Sequence, residues 1–403
     1  MKVTGIIAEY NPLHNGHKYQ LDKIRRDGSD YIIAVMSGDF TQRGEAAIVD
    51  KYDRARMALS CGADLVIELP VIYACNSAGV FAMGGVSMLN SLGVVDELAF
   101  GVEEGNEQQI IELARFLADP PVMYEDILDR KMREGLTYPS ARHQALLSFF
   151  SEDELTGIDK PNTILAIEYC RELRRLNSSI VPIPITRIGS NYGDTELDVD
   201  GMSSASAIRF MLKDCLSKPD VNGERYQTAM DVLAGHMPES CFEIMKDAKL
   251  MFQNDFSSLL HYKLLTSKNY SDYTDITDAF SARIMSQLNE YRDFDSFCSA
   301  LKTKNITYTS VNRLLTHIML DMRLGIPPIT PYARVLGFRQ ESSALLSEIK
   351  KNSKIMLITK LADTEPNIWL DADILASHIY ESALCNKYKT ALRNEYTRQL
   401  IIM

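Results

Sequence analysis

The run Val3-Thr4-Gly5-Ile6-Ile7-Ala8, followed without a break by Glu9-Tyr10-Asn11-Pro12-Leu13-His14-Asn15-Gly16-His17, decides how this chain is read. The first six residues form an apolar stretch of strand length, and a helical pattern covers about Asn15 to Arg26. The polar residues between them are therefore a strand-to-helix turn. Pro12 stiffens that turn, and Gly16 lets a ligand come close to the backbone. A helix starting there has unpaired N–H groups and a positive dipole end, which suits an anion. His14 and His17, three residues apart, stand on one side of the helix start. Two imidazoles in that place can donate to phosphate oxygens and stabilise the charge that develops as pyrophosphate leaves. The turn has no Walker-type lysine and no GxGxxG, so it is neither a P-loop nor a dinucleotide fingerprint. A metal site built on the two histidines lacks a third ligand at fitting spacing. The plainest alternative is a polar turn carrying two surface histidines.

Working outward, Tyr31–Met36, Leu65–Leu69 and Val94–Phe100 are further short apolar runs. Helical patterns near Asp50–Cys61 and Ser77–Asn90 separate them. Runs without alternation imply strands covered on both faces, as in a parallel sheet, and strand–helix–strand repetition implies right-handed crossovers. Residues 106–175 are mostly helical, with Glu107–Ala118 and Asn162–Leu176 the clearest pieces. Ile180–Ile188, with Pro182 and Pro184, reads as a late strand at an edge or strand end. The character changes near Lys218-Pro219-Asp220. Beyond it come helical patterns at Ser257–Leu265, Val311–Leu324 and Asp373–Tyr388, with a possible strand at Lys354–Thr359. The expectation is an α/β fold: a Rossmann-like parallel-sheet domain over residues 1–217, followed by a mainly helical domain over 218–403.

The 403 residues have 46% hydrophobic and 24% charged side chains, an ordinary globular composition. No apolar run approaches the ~18 residues of a membrane span, and the N-terminus does not read as a signal peptide. Seven scattered cysteines without a CxxC pair fit reduced thiols in a cytoplasmic protein and argue against zinc. The net charge of −11 would count against a nucleic-acid partner. It is uneven, however: residues 1–220 carry all of it, and 301–360 hold ten basic against three acidic residues. Such a segment can neutralise phosphates whatever the global sign, or be no more than a solvated helical face.

A second motif is Ser203-Ser204-Ala205-Ser206-Ala207-Ile208-Arg209. Serines before a helical pattern are ordinary N-caps. Hydroxyls plus a guanidinium at a helix start also suit phosphate. With the first motif, they would hold a triphosphate from both sides.

His-x-Gly-His with a distal Ser-Ser-x-x-x-x-Arg resembles the adenylylating nucleotidyltransferases. Glu9–His17, Met36–Glu45 (MSGDFTQRGE), Gly62–Pro70 (GADLVIELP), Lys160–Tyr169 (KPNTILAIEY) and Ser203–Arg209 together resemble the tRNA(Met) cytidine acetate ligase family. The likeness runs through most of residues 1–215 and continues more weakly through Tyr332–Phe338 (YARVLGF). It implies that ATP and acetate form acetyl-adenylate with loss of pyrophosphate, and that the acetyl group passes to N4 of the wobble cytidine of elongator tRNA(Met). It also implies His14, His17 and Arg209 as catalytic residues. The nucleotide site would comprise Ile7, Ala8, Glu9, Tyr10, Asn11, Pro12, Leu13, His14, Asn15, Gly16, His17, Lys18, Tyr19 and Gln20, with Gly101, Asn162, Arg187, Ile188, Ser203 and Ser204. Mg²⁺ is expected with the ATP, and no protein metal site. Val102 and Glu103 follow Gly101 where the family usually has a serine and a glutamate, and Thr163 stands where a second asparagine is common.

Two roles remain open for Asp39, Gln42 and Arg43 after the second strand: orienting acetate or the base, or forming an ordinary polar loop. Lys302, Lys304, Arg313, Arg323, Arg334, Arg339, Lys350, Lys351 and Lys354 are the expected tRNA backbone contacts. Tyr308 or Tyr332 would be available for stacking, and Lys387, Lys389, Arg393 and Arg398 would extend the track. The other histidines, the lone Trp369, the methionines and the cysteines read as packing or surface residues. Two alternatives stand beside this reading: a small-molecule nucleotidyltransferase making a nucleotide cofactor or activated metabolite, and a non-catalytic RNA-binding protein.

Overall fold

A computed structural model describes residues 1–102, 107–187, 197–198, 200–217 and 224–403. β1 (Val3–Ala8) leads to α1 (Asn15–Arg26), then β2 (Tyr31–Ser37), α2 (Lys51–Ser60) and β3 (Leu65–Leu69). The short α3 (Val71–Ala74) and α4 (Ala78–Leu92) precede β4 (Glu97–Val102). Next come α5 (Glu107–Ala118), α6 (Val122–Arg133), α7 (Tyr138–Leu146), α8 (Pro161–Arg175) and β5 (Val181–Thr186). Helices α9 (Ala205–Ser217), α10 (Glu224–Leu233), α11 (Glu239–Asp247), α12 (Ser257–Thr266), α13 (Asp278–Gln287), α14 (Phe294–Leu301) and α15 (Tyr308–Met319) follow in succession. The chain ends with β6 (Tyr332–Phe338), α16 (Ser343–Asn352), β7 (Met356–Ile358), α17 (Ile368–Tyr388) and β8 (Ile401–Ile402).

The strands lie in the order β5-β4-β1-β2-β3-β6-β7, with β8 beside β6. From β5 to β3 every neighbour pair is parallel, and β6 meets β3 antiparallel. The unbroken apolar run of β2 has the expected cause. Ile32 through Met36 are all wholly buried, and alternate residues serve opposite faces. Ile33 and Val35 join Val3, Leu65, Ile67 and Leu98 in one core. Ile32, Ala34 and Met36 join Ile6, Val66 and Ala99 in the other. Helices on both faces cover a parallel sheet, as the βαβ pattern requires. β5, with its two prolines, sits at the sheet edge as expected.

The second half is mainly helical, yet it completes the same sheet. β6 was not expected as a strand. Its register places Arg334 opposite Glu68 of β3, so a charge in each apolar run meets a partner across the ladder. The expected boundary at 217/218 adjoins residues 218–223, which lie outside the described residues. No helix among the described residues is long and apolar enough to cross a membrane.

β1 is central, β2 and β3 lie to one side of it, and β4 and β5 to the other. The chain therefore reverses direction of growth between β1 and β4, and ligands of open α/β sheets bind outside the carboxyl ends of strands at such a point.

Candidate active site

At that point the turn from β1 to α1 is tightly determined. Tyr10 is left-handed at φ 48 and the Asn11–Pro12 peptide is cis. Asn11 Oδ1 accepts from the Ile48 amide at 2.8 Å. Arg54, wholly buried, donates to the carbonyls of Glu9 (2.7 Å), Ser37 (3.0 Å), Val49 (2.9 Å) and Gly38. The guanidinium thereby ties the ends of β1 and β2 together.

His14 is the N-cap of α1, and its Nδ1 accepts from the Gly16 amide at 3.1 Å. A Cβ at Gly16 would come 2.9 Å from the His14 ring, so the glycine makes room for the imidazole. The His14 amide faces His17 Nδ1 at 3.4 Å, and the two rings stack tilted with centroids 3.9 Å apart. Tyr10 packs edge-on against His17 at 4.9 Å. Both Nδ1 atoms thus accept from backbone, which places each ring proton on Nε2. Burial, then His17, Arg187 and Arg209, hold His14 well below the usual histidine range. Burial and then Arg187 push His17 down to about 3. Both rings are neutral at pH 7, and each keeps one Nε2–H donor.

The opposite wall comes from α9 and the ends of β4 and β5. Arg209 Nη1 donates to the Asn11 carbonyl at 2.8 Å, and Nη2 lies 3.3 Å from Glu45. The free space between the walls is about 1230 Å³, the open mouth included. Of the residues singled out from the sequence, Ile7, Ala8, Glu9, Tyr10, Asn11, His14, Gly16, His17, Tyr19, Gln20, Gly101, Asn162, Arg187 and Arg209 line it, as does Gln42. Pro12, Leu13, Asn15, Lys18, Ser203 and Ser204 are not on its lining. Leu13 is buried in the core, and Lys18 pairs with Asp22 along α1. Asn15 Nδ2 donates to the carbonyls of Gly201 (3.0 Å) and Gly235 (3.1 Å). Ser204 accepts from the Ala207 amide at 3.1 Å, an N-cap contact. Ser203 lies 2.9 Å from His236 Nδ1, a partner that no motif spacing indicated. Asn15, Ser203 and His236 join α1 to the segments around α9 and α10, and Ser204 caps α9. Ile188 lies outside the described residues.

The lining also includes Phe81, Phe100, Leu165, Tyr169, Ile185, Met202 and Ala205, which sequence reasoning did not single out. They form an apolar floor suited to a planar ring. Leu165 and Tyr169 lie in the Lys160–Tyr169 segment and Ala205 in the Ser203–Arg209 segment that carry the resemblance, whereas Phe81, Phe100, Ile185 and Met202 gave no signal beyond ordinary helix, strand or loop patterns.

Asp39 does not line the cleft. It is buried, accepts from the Lys51 amide (3.0 Å) and Ser377 Oγ (2.9 Å), and borders a buried charge cluster. Lys51 Nζ lies 2.7 Å from Glu68 and 2.6 Å from Glu395, and Arg334 lies 3.1 Å from Glu68 and 2.7 Å from Glu395. Burial raises the Asp39 carboxyl to about 6, against the nearby Lys51 and with the help of Glu395 and Glu68.

This cluster overturns part of the expected tRNA track. Arg334 is 5% exposed, and its charge is neutralised by Glu68 and Glu395. Tyr332 is wholly buried and hydrogen-bonded to Asp373 at 2.5 Å, so it cannot stack on a base. Arg323 pairs with Asp321 and Asp272, Arg339 with Glu341 and Lys351 with Glu348. Lys387 pairs with Asp255, while Arg393 and Arg398 share Asp50. Lys302, Lys304, Lys350, Lys354 and Lys389 are exposed and lie outside these ion pairs. Among the described residues no group of three His, Cys, Asp or Glu side chains is placed to hold a metal ion.

The loop carrying Gln42 and Glu45 is fixed by the second half of the chain. Asn312 donates to the Arg43 carbonyl (2.9 Å), Thr316 to the Gly44 carbonyl (2.7 Å), and Gln253 Oε1 accepts from the Ala46 amide (2.9 Å).

The model of a family described as HIGH Nucleotidyl Transferase matches residues 1–395. A Clostridium acetobutylicum protein named tRNA(Met) cytidine acetate ligase is 39% identical over the full length of both chains. An Acetivibrio thermocellus protein of the same name is 37% identical, again over both full lengths. Among solved structures, apo Thermotoga maritima TmcAL matches with a TM-score of 0.89 at 28% identity, covering 100% of each chain. The same protein bound with alpha-thio ATP matches at 0.86 and 29% identity, with the same coverage. On the full-length match and on the His-Asn-Gly-His turn at the head of α1, the chain belongs to the HIGH nucleotidyl transferase family and, within it, to the tRNA(Met) cytidine acetate ligases.

Proposed function

We propose that this chain binds ATP in the β1–α1 cleft, activates acetate as acetyl-adenylate, and acetylates N4 of the wobble cytidine of elongator tRNA(Met). The observation that carries the reading is the pair of neutral imidazoles at the N-terminus of α1, facing Arg209 and Arg187 across a cleft with an apolar floor. The floor takes the adenine ring. The Nε2–H groups of His14 and His17 and the guanidiniums of Arg187 and Arg209 take the phosphates. Acetate attacks Pα in line, the Pα–O bond to the β-phosphate breaks, and pyrophosphate leaves. The residues position the reactants and spread the developing charge. The remaining site residues expected from the sequence act indirectly: Asn15 and Ser203 fix α1 relative to α9, Ser204 caps α9, and Pro12, Leu13 and Lys18 shape the turn and its helix. Mg²⁺ would accompany the triphosphate and neutralise part of its charge. The cytidine amine then attacks the acetyl carbonyl, AMP leaves, and one amine proton is released. Lys302, Lys304, Lys350 and Lys354 supply charge toward the tRNA backbone, and the reaction belongs in the cytoplasm, where tRNA is.

The test is mass spectrometry of tRNA(Met) incubated with the purified protein, ATP and acetate. A gain of one acetyl group on the wobble cytidine, dependent on both small substrates, is expected. Pyrophosphate release that requires a phosphorylated metabolite instead of acetate would support the small-molecule alternative.

A further inference from the structure

Outside the cleft, two thiols far apart in sequence meet. Cys61 caps the C-terminal end of α2 and Cys241 lies on α11, and their sulfurs are 3.3 Å apart in a buried setting. Two hydroxyls lie beside the pair: Ser60 Oγ and the Oγ of the exposed Ser240, 3.1 Å from each other. Both lie within 4.0 Å of Cys61 Sγ. Tyr10, which lines the cleft, belongs to the same buried core as both cysteines, and its buried hydroxyl has no hydrogen-bond partner. The tyrosine ring continues to His17.

We propose that Cys61 and Cys241 form a redox-sensitive dithiol that a small peroxide closes to a disulfide, with Tyr10 as its contact to the nucleotide cleft. A sulfur separation already within van der Waals reach needs about 1.3 Å of closure to make a bond of ~2.05 Å. Cys61 is the nucleophile, because the hydrogen bond from Cys241 and the two serine hydroxyls favour its thiolate over the opposing effect of burial. The Cys61 thiolate attacks one peroxide oxygen, the O–O bond breaks, and hydroxide leaves and is protonated to water. The Cys241 sulfur then attacks the resulting sulfenic sulfur, the S–O bond breaks, a second water leaves and the disulfide forms. In sum, two thiols and one peroxide give one disulfide and two waters, with the peroxide reduced. The burial of both sulfurs disfavours bulky disulfides and favours an oxidant as small as hydrogen peroxide. Burial pushes the Cys75 thiol up to about 12 and raises Cys298 further, so those thiols are inert by comparison. The bond would tie α2 to α11 across 180 residues of chain.

The experiment treats the full-length protein with a modest excess of hydrogen peroxide, alkylates remaining thiols, and maps the digest by mass spectrometry. The Cys61 peptide should be linked to the Cys241 peptide, two of the seven thiols should be lost, and dithiothreitol should restore both. The oxidised form should melt several degrees higher, because the closed loop is long. In Cys241→Ser, dimedone should trap sulfenic acid on Cys61. Free, alkylated Cys61 and Cys241 after peroxide treatment would overturn the proposal, as would linkage to any of the other five cysteines. Because the wild-type chain supplies the main result, failure of the variant to fold leaves the test intact. Absence of tRNA acetylation would bear on the proposed reaction and not on this chemistry.

Discussion

With Nδ1 turned to the His14 amide, His17 offers the cleft its Nε2–H alone, and the two functions of the ring can be separated. In His17→Asn the amide oxygen can replace Nδ1 as acceptor while the Nε2 donor is lost. The fold should persist, and ATP–pyrophosphate exchange should fall roughly 10²–10³-fold, as for removal of an oxyanion-hole donor. The same variant reports on the ring's charge. A histidine held at about 3 in the fold, against 6.5 as its ordinary value, is neutral when folded and protonated when unfolded between those pH values. Its neutrality contributes stability above about pH 6.5 that is lost as pH falls toward 3. Chemical denaturation should therefore show the wild type losing stability relative to His17→Asn on acidification, by at most about 1.4 kcal/mol per pH unit. Glu45 gives the opposite kind of prediction. Its carboxylate occupies Arg209 at 3.3 Å, where a phosphate would compete for the guanidinium. Glu45→Gln should tighten ATP binding about threefold, in line with a partly exposed ion pair of ~0.5–1 kcal/mol. Calorimetric titration reads this directly, and weaker binding would show that Glu45 instead orients the arginine. Little of this was legible beforehand. The sequence placed the two histidines together, but ring tautomers and the partner of Arg209 depend on backbone atoms and on a loop 164 positions earlier.

The elements that hold the site were read unevenly, for physical reasons. β1, β2 and β3 were plain because strands covered on both faces need continuous apolar residues, and α1 came out at Asn15–Arg26 because its cap and periodicity agree. β6 was missed. Its seven residues sit among helical stretches, and Arg334 breaks the apolar run until Glu68 is brought opposite. The loop after β2 could not be assigned from sequence because its hydrogen-bond partners lie more than 200 residues away, on α15 and at Gln253. Gly44 records that contact. Its φ is +75, and a Cβ there would stand 2.5 Å from the Arg313 Cα. Gly44→Ala should cost at least about 1–2 kcal/mol for the left-handed backbone alone. Urea denaturation measures it, and a neutral result would mean that α15 yields and does not fix the loop.

Across the whole molecule, charge had to be read by pairing and not by sum. The excess of positive charge in residues 301–360 was visible in the sequence. What could not be seen is that Arg334 belongs to a buried cluster joining β3, α2, β6 and Glu395 near the chain's end. Burial and Arg334 oppose the Lys51 charge, and Glu395, Glu68 and Asp39 outweigh them, so Lys51 stays protonated. Arg334→Met should leave two carboxylates facing Lys51 alone and destabilise the fold by about 3–5 kcal/mol. Thermal melting tests it, and an unchanged melting temperature would return Arg334 to the list of available cations. The cluster lies beneath the loop that supplies Gln42 to the cleft, so the second half of the chain stabilises the site as well as extending the sheet. That site is the centre of the account, and its most direct test is isotope exchange between labelled pyrophosphate and ATP. Label should enter ATP in the wild type only when acetate is present, and His17→Asn should lose this exchange while keeping its fold. Exchange without acetate, or exchange undiminished in the variant, would contradict it.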